Sequence, residues 1–78
     1  MRRPDAALAP PLARTLAALI RVYARDGRAT VQSVMVEAGY ASRGDVHMHL
    51  SRLRGLGLAA WDDGQQATLR PTVVAVAV

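Results

Sequence analysis

Two helical patterns separated by a very short turn occupy the middle of the sequence. Thr30 is a typical N-cap for a short helix, and Gly39 is suited to ending it. The residues of this helix that share an apolar face are Val31, Val34 and Ala38. Ser42 can cap the next helix, and only two residues separate it from Gly39. A short helix, a tight turn with glycine and another helix together predict a helix-turn-helix.

The same helical period predicts the extent of the first and third helices. Pro10 or Pro11 suits the first turn of a helix, and the pair Asp26-Gly27 suits its end. The third helix is expected to run from Arg43 to about Leu56, with Gly57 as its stop. Residues expected to line the core are Leu12, Leu16, Leu19, Ile20 and Tyr23 in the first helix and Val46, Leu50, Leu53 and Leu56 in the third. At the border of the third-helix stripe, His49 is predicted to be a partly buried packing residue.

A β-hairpin is predicted after the third helix. The pair Asp63-Gly64 is a strong two-residue turn signal, and it lies between the segments LAAWD and QQATLR, the second of which is followed by Pro71. Three helices followed by a hairpin define a winged helix-turn-helix, a mainly α fold with a small β-hairpin. We expect this domain to span residues 10–71. Residues 1–9 are predicted to be a flexible N-terminal arm. The apolar tail at 72–78 could add a strand or contact a second copy.

Length and composition exclude several classes of protein. The chain has 78 residues, so it forms one small domain, and its ten basic residues, all arginine, give a net charge of +4. That charge favours an anionic partner, nucleic acid first. The absence of cysteine excludes disulfides and thiolate metal sites. No apolar run could span a bilayer, and Asp5, Pro10-Pro11 and Arg14 interrupt any export signal. A cytoplasmic protein without a membrane partner is expected.

The spacing of the two histidines in the third helix argues against a metal site. His47 and His49 lie about 200° apart on a helix, so they cannot bind one ion together. The chain also lacks lysine, a phosphate-binding glycine loop and a nucleophile motif. We therefore expect no enzyme activity, no metal, no cofactor and no small-molecule ligand.

The outward face of the third helix suits double-stranded DNA. Small residues near the helix N-terminus allow close entry into the major groove. Asp45 could accept from a cytosine amino group, His47 could bond a purine edge, and Met48 could pack on a thymine methyl. The residues predicted to contact bases are Ser42, Gly44, Asp45, His47 and Met48. Phosphate contacts are predicted for Thr30, Gln32, Arg43, Arg52 and Arg54.

The stretch TVQSVMVEAGYASRGDVHMHLSRLRGLGLAAWDDGQQATLRP resembles the N-terminal winged-helix domain of LexA-type repressors. The positions in register are Thr30, Gly39, Tyr40, Ser42, Val46, His49, Leu50, Leu53, Gly57 and Leu58. The resemblance covers about residues 12–71. It implies base reading by the five residues predicted above, of which the last four differ from the usual family side chains. It also implies that the wing residues Asp63, Gly64, Gln65 and Gln66 lie near phosphate, although the carboxylates of Asp62 and Asp63 would repel it; Gln65 and Gln66 are the phosphate contacts predicted there.

Two functional hypotheses remain open at this point. The first is a small transcriptional regulator, a repressor of phage or bacterial type, which binds DNA and forms a homodimer through its apolar tail. It would lack the self-cleaving domain of LexA repressors. The second is a winged-helix protein-interaction module without DNA binding, which the exposed Met48, the two wing aspartates and the apolar tail favour.

Overall fold

The computed structural model describes residues 9–62 and 65–72, and it confirms the predicted mainly α fold with a β-hairpin. Its elements in chain order are α1 (Pro10–Asp26), α2 (Val31–Ala38), α3 (Arg43–Gly55), β1 (Ala59–Asp62) and β2 (Gln65–Pro71). No helix in the described part of the chain is long and apolar enough to cross a membrane. The predicted arm before Ala9, the turn at 63–64 and the tail after Thr72 lie outside the described residues.

The helix ends follow the predicted capping residues. Thr30 forms a capping box, because its Oγ1 accepts from the Ser33 amide at 3.0 Å while its own amide donates to Ser33 Oγ at 2.8 Å. Gly39 ends α2 in the left-handed region with φ of 80°, and its amide donates to the Met35 carbonyl. Ser42 Oγ then caps α3. The turn between the two helices is thus determined by local hydrogen bonds that the sequence already specifies.

The core lies between the three helices and the base of the hairpin. Its fully buried members include Leu19 from α1, Val34 from α2 and Leu50 from α3. The buried apolar residues of the described chain are Leu12, Ala18, Leu19, Val22, Ala29, Val31, Val34, Val46, Leu50, Leu53, Ala59 and Leu69. Burial of apolar surface at roughly 25 cal/mol per Å² is the main stabilising contribution in such a small domain.

Two predictions about the core are wrong. On α1, Val22 is buried and Tyr23 is 38% exposed, because the inward face is rotated toward Thr15 and Ala18 and away from the predicted stripe. Leu16 and Ile20, at the edge of that face, are only partly buried. Leu56 is 57% exposed. The helix ends at Gly55, and the following turn brings Leu58 against the core in place of Leu56.

The hairpin is antiparallel, and the loop between α1 and α2 pairs with the free edge of β2. Ala59 pairs with Pro71 and Asp62 pairs with Gln65, with an irregularity between Ala60 and Asp62. On the other side of β2, Leu69 forms an isolated antiparallel bridge with Ala29. This bridge was not predicted, and it joins the hairpin to the helical layer through two buried residues.

An ionic network joins α1 to α2. Glu37 accepts from Arg21 Nε at 2.8 Å and from Arg25 Nη1 at 3.0 Å. These hydrogen bonds lower the pKa of Glu37 below its ordinary value of 4.5, and the bond from Arg21 has the largest effect. The Arg25 guanidinium also hydrogen-bonds Asp26 and lowers the pKa of that carboxyl. Glu37 stabilises the contact between the two helices while its carboxylate is ionised, whereas the pair of Arg25 and Asp26 lies within α1.

The substitution Gly39→Ala tests the turn, with Gly55→Ala as its matched control. Added Cβ atoms at both positions meet no neighbour within 4 Å, so backbone conformation alone decides the effect. At Gly39, where φ is positive, alanine should destabilise the fold by about 1 kcal/mol. At the helical Gly55 it should stabilise by about 0.5 kcal/mol or more. Urea unfolding of both variants measures this, and shifts of the same sign would contradict the assigned turn.

The substitution Glu37→Gln tests the ionic network through pH. A carboxyl group whose pKa is lower in the folded state stabilises the protein above its unfolded pKa. That stabilisation is lost as the pH falls below 4.5. The free energy of unfolding should therefore decrease less steeply in the variant than in the parent between about pH 5.5 and about pH 3. Thermal unfolding across this range gives both slopes, and identical slopes would show that Glu37 is not engaged.

Candidate nucleic-acid interface

Helix α3 has one buried face and one free face. Val46, Leu50 and Leu53 are at most 1% exposed, and they bury one side of the helix against the core. Successive residues of a helix are rotated by about 100°, so Gly44 and Met48 point the opposite way. The outer ridge consists of Gly44, Met48, Ser51 and Gly55, all exposed. This ridge is the part of α3 that a partner molecule can reach.

The five residues predicted to contact bases lie together on the first two turns of α3. Every one of them is exposed, and Met48 is 52% exposed. Ser42 Oγ accepts from the amides of Gly44 at 3.1 Å and Asp45 at 3.4 Å, so this hydroxyl also caps the helix. A Cβ added at Gly44 would meet only Ser42 Oγ, at 3.5 Å. The backbone at the start of α3 is therefore open to close approach.

The hairpin borders one side of this face through Trp61, a residue that the sequence did not single out. The His47 and Trp61 rings are 6.3 Å apart between centroids. Arg54 Cζ lies 4.4 Å from the centroid of the Trp61 ring, and Arg54 Nη2 donates to the Trp61 carbonyl at 3.0 Å. Arg54, predicted as a phosphate contact, thus joins α3 to β1. The signals available in the sequence were that Trp61 is the single tryptophan and lies in a predicted strand.

The start of α1 borders the other side of the free face. An open depression of about 190 Å³ separates the two helices. Its lining residues are Ala9, Pro11, Leu12, Met48, His49 and Arg52. Met48 and Arg52 belong to the free side of α3, so the first residues of α1 lie directly beside the candidate interface. This proximity is a property of the tertiary structure that periodicity does not reveal.

Tyr40 anchors the turn of the helix-turn-helix to α1. Its hydroxyl is 2.9 Å from the Thr15 hydroxyl and donates to the Pro11 carbonyl at 3.1 Å. The Arg14 guanidinium carbon lies 4.5 Å from the centroid of the Tyr40 ring, a cation–π contact. His49 packs 5.3 Å from the same ring and is partly buried, as predicted. These contacts hold the turn, and with it the start of α3, in one orientation.

The residues predicted to contact phosphate are not all equally available. Gln32, Arg43 and Arg52 are exposed, whereas Thr30 uses its hydroxyl in the α2 capping box. The side chains of Gln65 and Gln66 lie outside the described part of the structure. Arg54 is exposed as well but contacts Trp61, so among the described arginines of α3 Arg52 lies beside the outer ridge and Arg43 lies at the start of the helix.

Neither a cluster of metal-binding side chains nor a similar known protein was found for the described site. No group of three or more histidine, aspartate or glutamate side chains within residues 9–62 and 65–72 could hold a metal ion. Comparison with protein-family models, curated protein sequences and solved structures found no match to this chain. The exposed face of α3 and the residues around it are therefore the features from which a function can be proposed.

The substitution Arg54→Leu tests the junction between α3 and the hairpin, and Arg52→Leu is its control on the same helix. Loss of the hydrogen bond and the cation–π contact should destabilise the protein by about 1 kcal/mol. The fluorescence of Trp61 should shift to longer wavelength, because the indole loses its cover. Arg52→Leu should leave the emission unchanged. Equal spectra for the two variants would show that Arg54 does not cover the indole.

Proposed function

We propose that this chain is a sequence-specific double-stranded DNA-binding protein that reads the major groove with α3. The observation that carries the proposal is the exposed, small and polar surface on the first two turns of α3, directly opposite a fully buried face. A major groove about 12 Å wide accepts a helix whose leading residues are small. Gly44 meets that requirement, because it has no side chain and a Cβ added there would meet only Ser42 Oγ.

Base contacts in this proposal come from three exposed side chains. Asp45 accepts a hydrogen bond from a cytosine amino group, and His47 bonds a purine edge in the same groove. Met48, on the outer ridge, packs against a thymine methyl group. Ser42 and Gly44 allow the backbone at the helix start to approach the base edges. Each good base contact contributes about 1–3 kcal/mol of discrimination against the wrong base pair.

Phosphate contacts supply affinity and orientation. Arg52 flanks the outer ridge and Arg43 lies at the start of α3, while Thr30 and Gln32 lie at the start of α2. Gln65 and Gln66 of the hairpin are further candidates. With the two phosphates that Arg43 and Arg52 neutralise, the logarithm of affinity should fall with the logarithm of salt concentration at a slope of about −1.8. In this scheme Arg54 is a positioning residue, since its contacts with Trp61 keep the hairpin beside α3.

The biological role that fits such a module is a transcriptional regulator. The resemblance to the winged-helix domain of LexA-type repressors supports a repressor of phage or bacterial type that acts in the cytoplasm. A single domain of this size makes few contacts, which favours a homodimer on paired half-sites. The apolar residues after Thr72 are our candidate for the dimer contact.

A protein-interaction module without DNA binding is the second candidate. The observation that favours it is the exposure of three large apolar side chains, Val36 at 68%, Leu56 at 57% and Met48 at 52%. Exposed apolar residues of this kind can mark a protein-binding surface when they are contiguous. This candidate predicts that a protein partner, rather than a nucleic acid, contacts the domain.

Selection from a random duplex DNA library at about 150 mM salt, where specific binding outcompetes non-specific binding, tests the proposal. The selected motif then serves to compare Gly44→Leu with its control Gly55→Leu. Gly55 lies about three turns further along the same ridge, and an added Cβ there meets no atom within 4 Å. Leucine at Gly44 should lower the affinity at least about tenfold, because one or more base contacts of over 1 kcal/mol are displaced. Leucine at Gly55 should have little effect.

Three outcomes would change the assignment. A folded protein that enriches no motif excludes sequence-specific DNA binding and favours the second candidate. Equal losses of affinity for the two leucine variants would mean that α3 does not enter the groove by its N-terminal turns. Binding that is unaffected by either variant would show that the DNA contacts another surface.

A further inference from the structure

Two exposed side chains of opposite chemistry are neighbours near the start of α3. Asp45 and Met48 are three positions apart, and residues with that spacing on a helix have Cβ atoms about 5–6 Å apart. A long side chain on a helix points back toward the preceding turn, so the Met48 thioether extends toward Asp45. Gly44, one turn before Met48, has no side chain to separate them. A carboxylate and a thioether are therefore presented together at one place on the free face.

Both of these groups are available to a ligand. Ser42 Oγ accepts from the Asp45 amide, and no side chain within residues 9–62 and 65–72 hydrogen-bonds or pairs with the Asp45 carboxylate. Met48 is exposed, and the depression that it lines also has Pro11 and Leu12 in its wall. A small apolar group that contacts Met48 would therefore enter partly apolar surroundings, next to a free hydrogen-bond acceptor.

The pyrimidines differ in the two groups that such a pair of side chains can read. In the major groove cytosine presents an amino donor at C4, and thymine presents an O4 acceptor beside its C5-methyl group. A 5-methylcytosine carries the amino donor and the methyl group on adjacent ring atoms. An ionised carboxylate only accepts hydrogen bonds, so it binds the amino group and is repelled by O4. Of the three bases, 5-methylcytosine is thus the one that satisfies both side chains.

We infer that Asp45 and Met48 together recognise a single 5-methylcytosine in the major groove, which makes this chain a reader of cytosine-methylated DNA. The inference rests on the proposed function, and it replaces the thymine methyl contact of Met48 by a contact with the base that Asp45 binds. An unmethylated cytosine leaves Met48 without its apolar partner. A thymine places O4 opposite the carboxylate. The affinity should therefore decrease from 5-methylcytosine to cytosine to thymine.

Methylation of the selected motif tests the order of affinities. Selection is run on two random duplex libraries, one with ordinary cytosine and one with 5-methylcytosine in its place, and each cytosine of the resulting motif is then methylated in turn. At one position 5-methylcytosine should bind about fourfold more tightly than cytosine, which is the effect of burying about one methyl-sized group. Thymine at that position should bind at least about tenfold more weakly than 5-methylcytosine.

Substitutions separate the two contacts. Met48→Ala should abolish the preference for 5-methylcytosine over cytosine and keep that for cytosine over thymine, whereas Met48→Leu should keep both. Asp45→Asn should keep the methyl preference and bind thymine better, because an amide can donate to O4. Its control is Asp26→Asn, which removes the same charge from the pair with Arg25 on α1 and should behave like the parent. Asp45 and Met48 are exposed, so these variants should remain folded.

The outcomes distinguish this inference from the proposed function. A parent that enriches no motif from either library overturns both of them. A parent that binds a motif but gains no affinity from methylation of any cytosine overturns the methylcytosine reading alone. A methyl preference that persists in Met48→Ala shows that another residue contacts the methyl group. Equal affinity for thymine and 5-methylcytosine shows that Asp45 does not contact the amino group.

Discussion

Burial of one face of α3 is the constraint on which the rest of this structure depends. Val46, Leu50 and Leu53 pack against the core, and at this size the domain has little other apolar surface with which to hold a third helix. With these three positions inside, the rotation of the helix about its axis is determined. The small and polar residues of its first two turns must then face solvent, where they are available to a partner.

The turn before α3 connects the exposed surface to α1 through contacts of Tyr40. Tyr40 is hydrogen-bonded to Thr15 and Pro11, and its ring lies under the Arg14 guanidinium. His49 contacts the same ring from α3. A polar network of this kind is directional, so it specifies an angle between helices that apolar packing alone would leave more variable. The orientation of the exposed face of α3 thus depends on the turn as much as on the core.

The hairpin contributes to the same surface from the other side. Arg54 holds the Trp61 carbonyl and covers its ring, and Leu69 pairs with Ala29 at the start of the helix-turn-helix. The hairpin is therefore attached at both of its strands. These contacts position the described part of the hairpin beside α3.

Local chemistry in the sequence was sufficient for the elements and their ends. The caps at Thr30 and Ser42 and the glycine at position 39 act within one turn of chain, and they are found where they were predicted. Exposure of Tyr23 and Leu56, the bridge at Ala29 and the roles of Trp61 and Arg54 were decided only in the tertiary structure. The physical reason is the separation in sequence of the residues involved. A hydrogen-bonded cap joins residues within one helical turn, whereas burial and ring contacts depend on which residues from distant parts of the sequence pack together.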